Sequence, residues 1–178
     1  VYPGIEYQRY SLKESIIRTE GNTREASSDK EDHIEMNKKP RALMLASVAS
    51  MIDLFNMDNI KILLDLGYEV DVMANFKFGS ITSQERVDAF KQELLDMGIH
   101  VYHVPIPRSL SMIKEMATSY QNIKKLVEEK QYQIVHCHSP IGGVLCRLAC
   151  QDARKKFATK VIYTAHGFHF YKGAGKKA

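Results

Sequence analysis

From Arg41 onward, short apolar runs alternate with longer amphipathic stretches, and this alternation constrains the fold more than any other feature. Five runs have the length and composition of strands: ALMLASV (42–48), YEVDVMA (68–74), IHVYHVPIP (99–107), YQIVHCH (132–138) and TKVIYTA (159–165). The four stretches between them place apolar residues three and four positions apart, as an amphipathic helix requires. We therefore predict an α/β fold, a Rossmann-like parallel sheet of about five strands with helices on both faces.

The predicted helices have recognisable ends. Gly67 and Gly98 each follow a periodic apolar stretch, where a left-handed C-terminal cap favours glycine. Ser83 and Ser139 are predicted N-caps, and Pro140 follows Ser139 at the first helical position, where proline is tolerated. These residues predict where helices begin and end, independently of the apolar periodicity.

The first 40 residues lack this pattern, since they are rich in charges of both signs and carry only a weak apolar stripe. We expect residues 1–40 to be a largely disordered linker or extension. Residues 41–174 should form one Rossmann-like domain, and residues 175–178 a short tail. With 44% hydrophobic and 26% charged residues, the composition is typical of a soluble globular protein.

The expected compartment is the cytoplasm. No apolar run approaches the roughly 20 residues that span a bilayer, and no signal peptide is recognisable. The three cysteines are an odd number and do not suggest a disulfide framework, which favours a reducing compartment.

Basic residues are concentrated at the C-terminal end. The net charge of the whole chain is +4, but residues 147–178 hold eight Lys or Arg against one acidic residue, Asp152. This excess could favour anionic ligands or an anionic lipid surface, or it could be only a solvated helix face. Nucleic-acid binding is not predicted, because no aromatic residues are interleaved as stacking platforms.

Ligands of open parallel sheets bind at the carboxyl ends of the strands. Three segments should meet there: a polar loop at residues 47–59, HSPIGG at 138–143, and HGFHF at 166–170. The first segment contains no glycine, so it does not match a dinucleotide-binding G-x-G-x-x-G turn, and the chain has no Walker A motif. Gly142 and Gly143 lie in the first turn of a predicted helix, where they could admit a ligand to the backbone or allow tight helix packing.

Histidines and cysteines, which are common metal ligands, recur near these strand ends: His136, Cys137, His138, Cys146, Cys150, His166 and His169. Alternate strand residues point to opposite faces, so Cys137 should project away from His136 and His138. Cys146 and Cys150 fit buried helix positions. We predict neither a metal nor a cysteine nucleophile, and no cofactor.

Three separated motifs resemble family 4 glycosyltransferases of the GT-B fold, of the bacterial capsule and exopolysaccharide type. They are KPRALMLASVASMIDLFNMDNIKILLDLGYEVDVMANF, VHCHSPIGGVLCRLA and KVIYTAHGFHFYKGA, in the order and on the elements that the family requires. The resemblance spans residues 38–174 and corresponds to the N-terminal, acceptor-binding domain.

The resemblance implies a sugar transfer from a nucleotide-sugar donor to a lipid-linked saccharide acceptor. The acceptor would bind beside the first strand, and the matching residues are Ser47, Ser50, Met51, Asp53 and Asn56. His166 would be the catalytic residue, at the loop near the donor sugar and its leaving phosphate. The residues close to the donor would be His138, Gly142, Gly143 and Gly167, although His138 and His169 could equally be structural.

The chain departs from the family in two respects, and one is that GKKA (175–178) stands in place of a continuation toward a linking segment. The C-terminal donor domain, with its E-x7-E signature, is absent from this sequence. We expect little or no transferase activity from the chain alone, and a separate donor-domain chain as a candidate partner. Contact with the inner face of the membrane is also expected. The alternative is a stand-alone flavodoxin-like module that binds a small anionic ligand at HSPIGG.

Overall fold

The computed structural model describes residues 39–107 and 111–166. The predictions for the extension at 1–38, for Gly167 and His169, and for the tail at 175–178 lie outside the described residues. The strands are β1 Arg41–Leu45, β2 Glu69–Ala74, β3 His100–His103, β4 Ile134–His138 and β5 Lys160–Thr164. The helices are α1 Ala49–Phe55, α2 Met57–Asp65, α3 Gln84–Asp96, α4 Ile113–Lys130, α5 Pro140–Ala149 and α6 Gln151–Lys156.

All five strands are parallel and lie in the order β3-β2-β1-β4-β5. This is the strand order of a Rossmann sheet, in which the chain winds outward from β1 in one direction and then in the other. The predicted α/β class, strand number and strand pattern are confirmed. Strand β1 is central, so its carboxyl end is next to that of β4.

The predicted helix ends are confirmed. Ser83 Oγ accepts a hydrogen bond from the backbone N–H of Arg86 at 3.3 Å, and Ser139 Oγ accepts one from Gly142 at 3.3 Å. Gly67 and Gly98 have φ angles of +85° and +76°, the left-handed region in which glycine carries no steric cost.

Two apolar clusters cover the two faces of the sheet, as is expected of a parallel sheet. On one face, Met44 and Val72 pack with residues of α1, α2 and α3, among them Phe90. On the other face, Leu43 and Val135 pack with residues of α4, α5 and α6. The central strands are therefore buried on both sides.

A buried carboxylate departs from the strand pattern. The alternation in YEVDVMA is typical of a strand with one solvated face, yet Asp71 is only 2% exposed. Its Oδ2 accepts a hydrogen bond from the hydroxyl of Tyr132 at 2.5 Å, and its Oδ1 lies 3.1 Å from Nδ1 of His100. A buried charge requires such partners, so the carboxylate links β2 to the residues just before β4.

Candidate functional site

A cleft of about 650 Å³ opens at the carboxyl ends of β1 and β4. After β1 the chain enters α1 on one face of the sheet, and after β4 it enters α5 on the opposite face. This divergence at the point where the strand order reverses leaves a crevice between the two connections. The lining residues are Ser47, Val48, Ser50, Met51, Phe55, Gly79, Ile81, Pro107, Met116, Ser139, Pro140, Ile141 and Val144.

The cleft is predominantly apolar. None of the described residues that line it carries an ionisable side chain, and its polar side chains are the hydroxyls of Ser47, Ser50 and Ser139. Two of these hydroxyls already have protein partners. Ser50 Oγ accepts a hydrogen bond from the backbone N–H of Ile81 at 3.1 Å, and Ser139 Oγ caps α5. The cleft therefore offers extensive apolar contact and few hydrogen bonds to a ligand.

The predicted polar loop at residues 47–59 is largely helical, which corrects that part of the sequence analysis. Helix α1 begins at Ala49, so only Ser47 and Val48 remain in the connection after Ala46. A second helix begins at Met57, separated from α1 by Asn56. Apolar residues such as Ile52 recur at helical spacing and bury one face of α1 in the core. The stretch therefore forms a helix although polar residues separate its apolar ones.

Two of the predicted acceptor residues lie away from the cleft. The Asp53 carboxylate is bound by the guanidinium of Arg86 on α3, with N–O distances of 2.5 and 2.9 Å. Asn56 is fully buried, and its amide donates to the carbonyl of Met51 at 2.9 Å. Its carbonyl accepts from Nδ2 of Asn59 at 3.0 Å. Asp53 therefore links α1 to α3, and Asn56 holds the junction between α1 and α2.

Apolar lining residues were missed by the sequence analysis. Phe55, Ile81 and Val144 are 54%, 73% and 57% exposed, although their side chains are apolar. On α5, exposed Val144 directly precedes buried Leu145. In the sequence, the signal at α5 was that its apolar residues occupy more than the one helix face that packs on the core. This distribution is typical of a helix that also borders a binding surface.

The glycines at the start of α5 leave little room for a side chain. A Cβ on Gly143 would lie 2.8 Å from ring carbons of Tyr163 on β5, and one on Gly142 would lie 2.8 Å from Ser139 Oγ. The sequence left ligand approach and tight packing open for this pair. The close contact with the ring favours packing at Gly143, because it brings α5 directly against β5.

Gly143→Ala should therefore destabilise the domain. Alanine normally stabilises a helix by about 1 kcal/mol relative to glycine, whereas an overpacked contact costs about 1–3 kcal/mol. We expect a net loss of about 1 kcal/mol, measured by urea unfolding, because the Tyr163 ring must move. Val144→Ala, at the next and exposed position, is the control and should change stability by less than about 0.5 kcal/mol. A more stable Gly143→Ala protein would contradict the packing role.

Three histidines lie together beside the carboxyl ends of β4 and β5. The ring centroids of His136 and His138 are 4.2 Å apart, and those of His138 and His166 are 5.1 Å apart. Nδ1 of His138 lies 2.9 Å from Nε2 of His166, and Nε2 of His136 lies 2.8 Å from Thr164 Oγ1. The strand alternation predicted that His136 and His138 share a face, and the structure confirms it.

Burial keeps this cluster neutral. His136 and His138 are 1% and 0% exposed. Burial, with a further contribution from His166, lowers the pKa of His136 to about 3. Burial, and then the neighbouring His136 and His166, lowers the pKa of His138 well below its ordinary value, and burial also lowers the pKa of His166. At neutral pH the rings are therefore hydrogen-bonding groups without charge.

The cysteines lie on the other side of β4. Cys137 Sγ donates to the carbonyl of Ile162 at 3.3 Å, and the sulfurs of Cys146 and Cys150 are 3.9 Å apart in the core. Over residues 39–107 and 111–166, no group of three or more His, Cys, Asp or Glu side chains is arranged to hold a metal ion. In the same residues, no helix is both long enough and apolar enough to cross a membrane.

The strand order and the cleft at the reversal point, with the histidines beside it, define a Rossmann-like domain with a cleft where ligands of such sheets generally bind. The sequence matches the family model described as glycosyl transferase 4-like over residues 43–178. The chain belongs to this family. The family 4, GT-B glycosyltransferase identity predicted from the three motifs is therefore confirmed.

Individual relatives agree with this assignment. A protein of Bacillus subtilis (strain 168) named EpsD, and described as a glycosyltransferase, is 39% identical over 142 residues, which are 80% of this chain and 32% of EpsD. An Escherichia coli protein named UDP-Gal:alpha-D-GlcNAc-diphosphoundecaprenol alpha-1,3-galactosyltransferase is 38% identical over 79 residues, 44% of this chain and 19% of that protein. The chain spans about a third or less of the length of these curated relatives.

Among solved structures, MurG of Acinetobacter baumannii shares the fold. The TM-score is 0.50 at 16% sequence identity, and the matched region covers 72% of this chain and 36% of MurG. The likeness supports the arrangement of strands and helices described above.

Proposed function

We propose that this chain forms the acceptor-binding side of a glycosyltransferase that transfers a sugar from a nucleotide-sugar donor to a lipid-linked saccharide in cell-surface polysaccharide synthesis. The apolar cleft at the ends of β1 and β4 carries this proposal. The Escherichia coli relative is named for a diphosphoundecaprenol-linked acceptor, which combines a saccharide, a diphosphate and a long isoprenoid. A cleft with no ionisable lining residue among those described suits the isoprenoid end of such a molecule.

The histidine cluster gives the site a polar side. Phe55 lines the cleft, and its ring centroid is 5.9 Å from that of exposed His166. A ligand in the cleft would therefore have its saccharide near the end of β5. Retaining sugar transfer depends mainly on positioning both substrates and stabilising the leaving diphosphate. We assign His166 to hydrogen bonding at this polar side, with His138 behind it.

The donor is expected to bind mainly outside these 178 residues. Protein must surround the acceptor and the donor on two sides to hold them for reaction. The chain covers only 32% of EpsD. The isolated chain should therefore bind the acceptor but show little or no turnover, with a donor domain as its functional partner. Sugar transfer would take place at the cytoplasmic face of the membrane. There the basic excess in residues 147–178 would favour contact with anionic lipid.

Val144→Glu should weaken binding of a lipid-linked saccharide by at least about tenfold, because it places a charge in apolar surroundings and repels the diphosphate. The side chain is 57% exposed, so the fold should tolerate the change. Leu148→Glu is the matched control, since Leu148 lies one helical turn further along α5, is 54% exposed and does not line the cleft. The measurement is titration of the purified protein with a polyprenyl-diphosphate-GlcNAc in detergent.

Equal losses in both variants, or no binding by the unmodified protein, would contradict this assignment.

Flavin or inorganic phosphate, tested in the same titration, addresses the alternative of a small-anion module. Stronger binding of these anions than of the lipid would favour that alternative. We expect the reverse, because Ser139 Oγ already accepts the Gly142 N–H that an anion would need.

A further inference from the structure

We propose that Met44 and His138 are positioning residues that hold His166 in one neutral tautomer, with its hydrogen on Nε2 and a lone pair on Nδ1. The use of this tautomer in sugar transfer rests on the proposed function. The tautomer itself follows from two contacts, that of Met44 with His138 and that of His138 with His166.

The chain of contacts starts at a buried sulfur. Met44 on β1 is fully buried, and its Sδ lies 3.0 Å from Nε2 of His138. A thioether carries no hydrogen, so it can only accept. A lone pair on Nε2 would face the sulfur lone pairs at this distance. His138 Nε2 must therefore carry the hydrogen.

The contact between His138 and His166 then determines which ring nitrogen of His166 carries its hydrogen. His138 is fully buried beside His136 and His166, so its neutral form is favoured, and a neutral imidazole has one donor and one acceptor. With Nε2 donating, Nδ1 of His138 is the acceptor. Nε2 of His166, at 2.9 Å, must then donate.

The remaining ring nitrogen of His166 is left as an acceptor. Nδ1 of His166 has no hydrogen-bond partner among the residues that the structure describes, and the residue is exposed. A neutral ring in this tautomer accepts a hydrogen bond from a hydroxyl, and it offers no hydrogen to a phosphate oxygen. Of the two groups that a histidine could contact here, the tautomer selects a sugar hydroxyl over the leaving phosphate.

The direct test is the ¹⁵N NMR spectrum of the 178-residue protein labelled at its histidines, recorded at pH 7.5 without ligand. His138 and His166 should both show the Nε2–H tautomer. Met44→Leu keeps the volume but removes the acceptor. A buried Nε2–H without a partner is unfavourable, so His138 should shift toward Nδ1–H, and the ratio of Nε2–H to Nδ1–H at His166 should fall about fivefold or more.

Met73→Leu is the matched control, because Met73 is also buried on a central strand but packs on the opposite face of the sheet. It should leave both tautomers unchanged, whereas general loosening of the core would affect them in both variants. An Nδ1–H form of His166 in the unmodified protein, or unchanged tautomers in Met44→Leu, would overturn the proposal. Neither result depends on ligand binding, so the failure of this inference is separate from a failure of the lipid titration.

Discussion

Acidification from pH 7.5 to pH 4.5 is expected to lower the free energy of unfolding by roughly 3–5 kcal/mol. His136 and His138 are buried without charge, and burial lowers their pKa values in the folded protein. In the unfolded chain they titrate near pH 6.5. The unfolded state therefore binds more protons below that pH, so stability falls as the pH drops from about 6.5 toward the folded pKa of about 3 for His136.

The measurement is urea unfolding at several pH values between 7.5 and 4.5. Near pH 4.5, the slope of the free energy of unfolding against pH should correspond to the uptake of about two protons when the protein unfolds. His136→Gln keeps a polar group near Thr164 but cannot titrate, so its slope should be smaller by about one proton. A stability that does not change over this range, or an identical slope in His136→Gln, would contradict neutral burial.

Tyr132→Phe is expected to destabilise the domain by about 2–3 kcal/mol, although it removes a single oxygen. Tyr132 is fully buried, and burial and then the Asp71 carboxylate raise the pKa of its hydroxyl, which therefore stays a donor. Its loss would leave the buried carboxylate with His100 as its remaining side-chain partner among the described residues. Hydrogen bonds to buried charges are among the costlier ones to remove.

Two variants separate this hydrogen bond from a general effect of losing a hydroxyl. Tyr120→Phe, at a partly buried position on α4, should change stability by less than about 0.5 kcal/mol. In a cycle with Asp71→Asn, the two effects should be strongly non-additive, because both residues contribute to one interaction. Additive effects in urea unfolding would show that the hydroxyl and the carboxylate act independently.

Local patterns predicted the fold well. The apolar runs, the caps at Ser83 and Ser139 and the glycines at helix ends depend on interactions within a few residues, and the structure confirms them. The residues after β1 were predicted to be a loop because their polar spacing resembled one. Burial of Ile52 against the sheet, which is a long-range effect, makes them helical instead.

The site was predictable only in part, because its contacts also join residues that are far apart in the sequence. Alternation along β4 places His136 and His138 on one face, but their contacts with Thr164 and His166 join residues 28 positions apart. The burial of Asp71 depends on Tyr132, 61 positions away. The apolar lining residues Phe55, Ile81 and Val144 were missed because apolar periodicity does not distinguish a side chain in the core from one that borders a cleft.

The central claim is that the cleft between α1 and α5 holds the lipid end of the acceptor. The most direct measurement is photo-crosslinking of the 178-residue protein with a polyprenyl-diphosphate-GlcNAc that carries a diazirine in its first isoprene units, followed by mass spectrometric mapping. We predict crosslinks at residues 47–55 and 140–144, competed by unlabelled lipid-linked saccharide and reduced in Val144→Glu. Crosslinks confined to other surfaces, or competed by nucleotide sugar and unaffected by the lipid, would contradict the account.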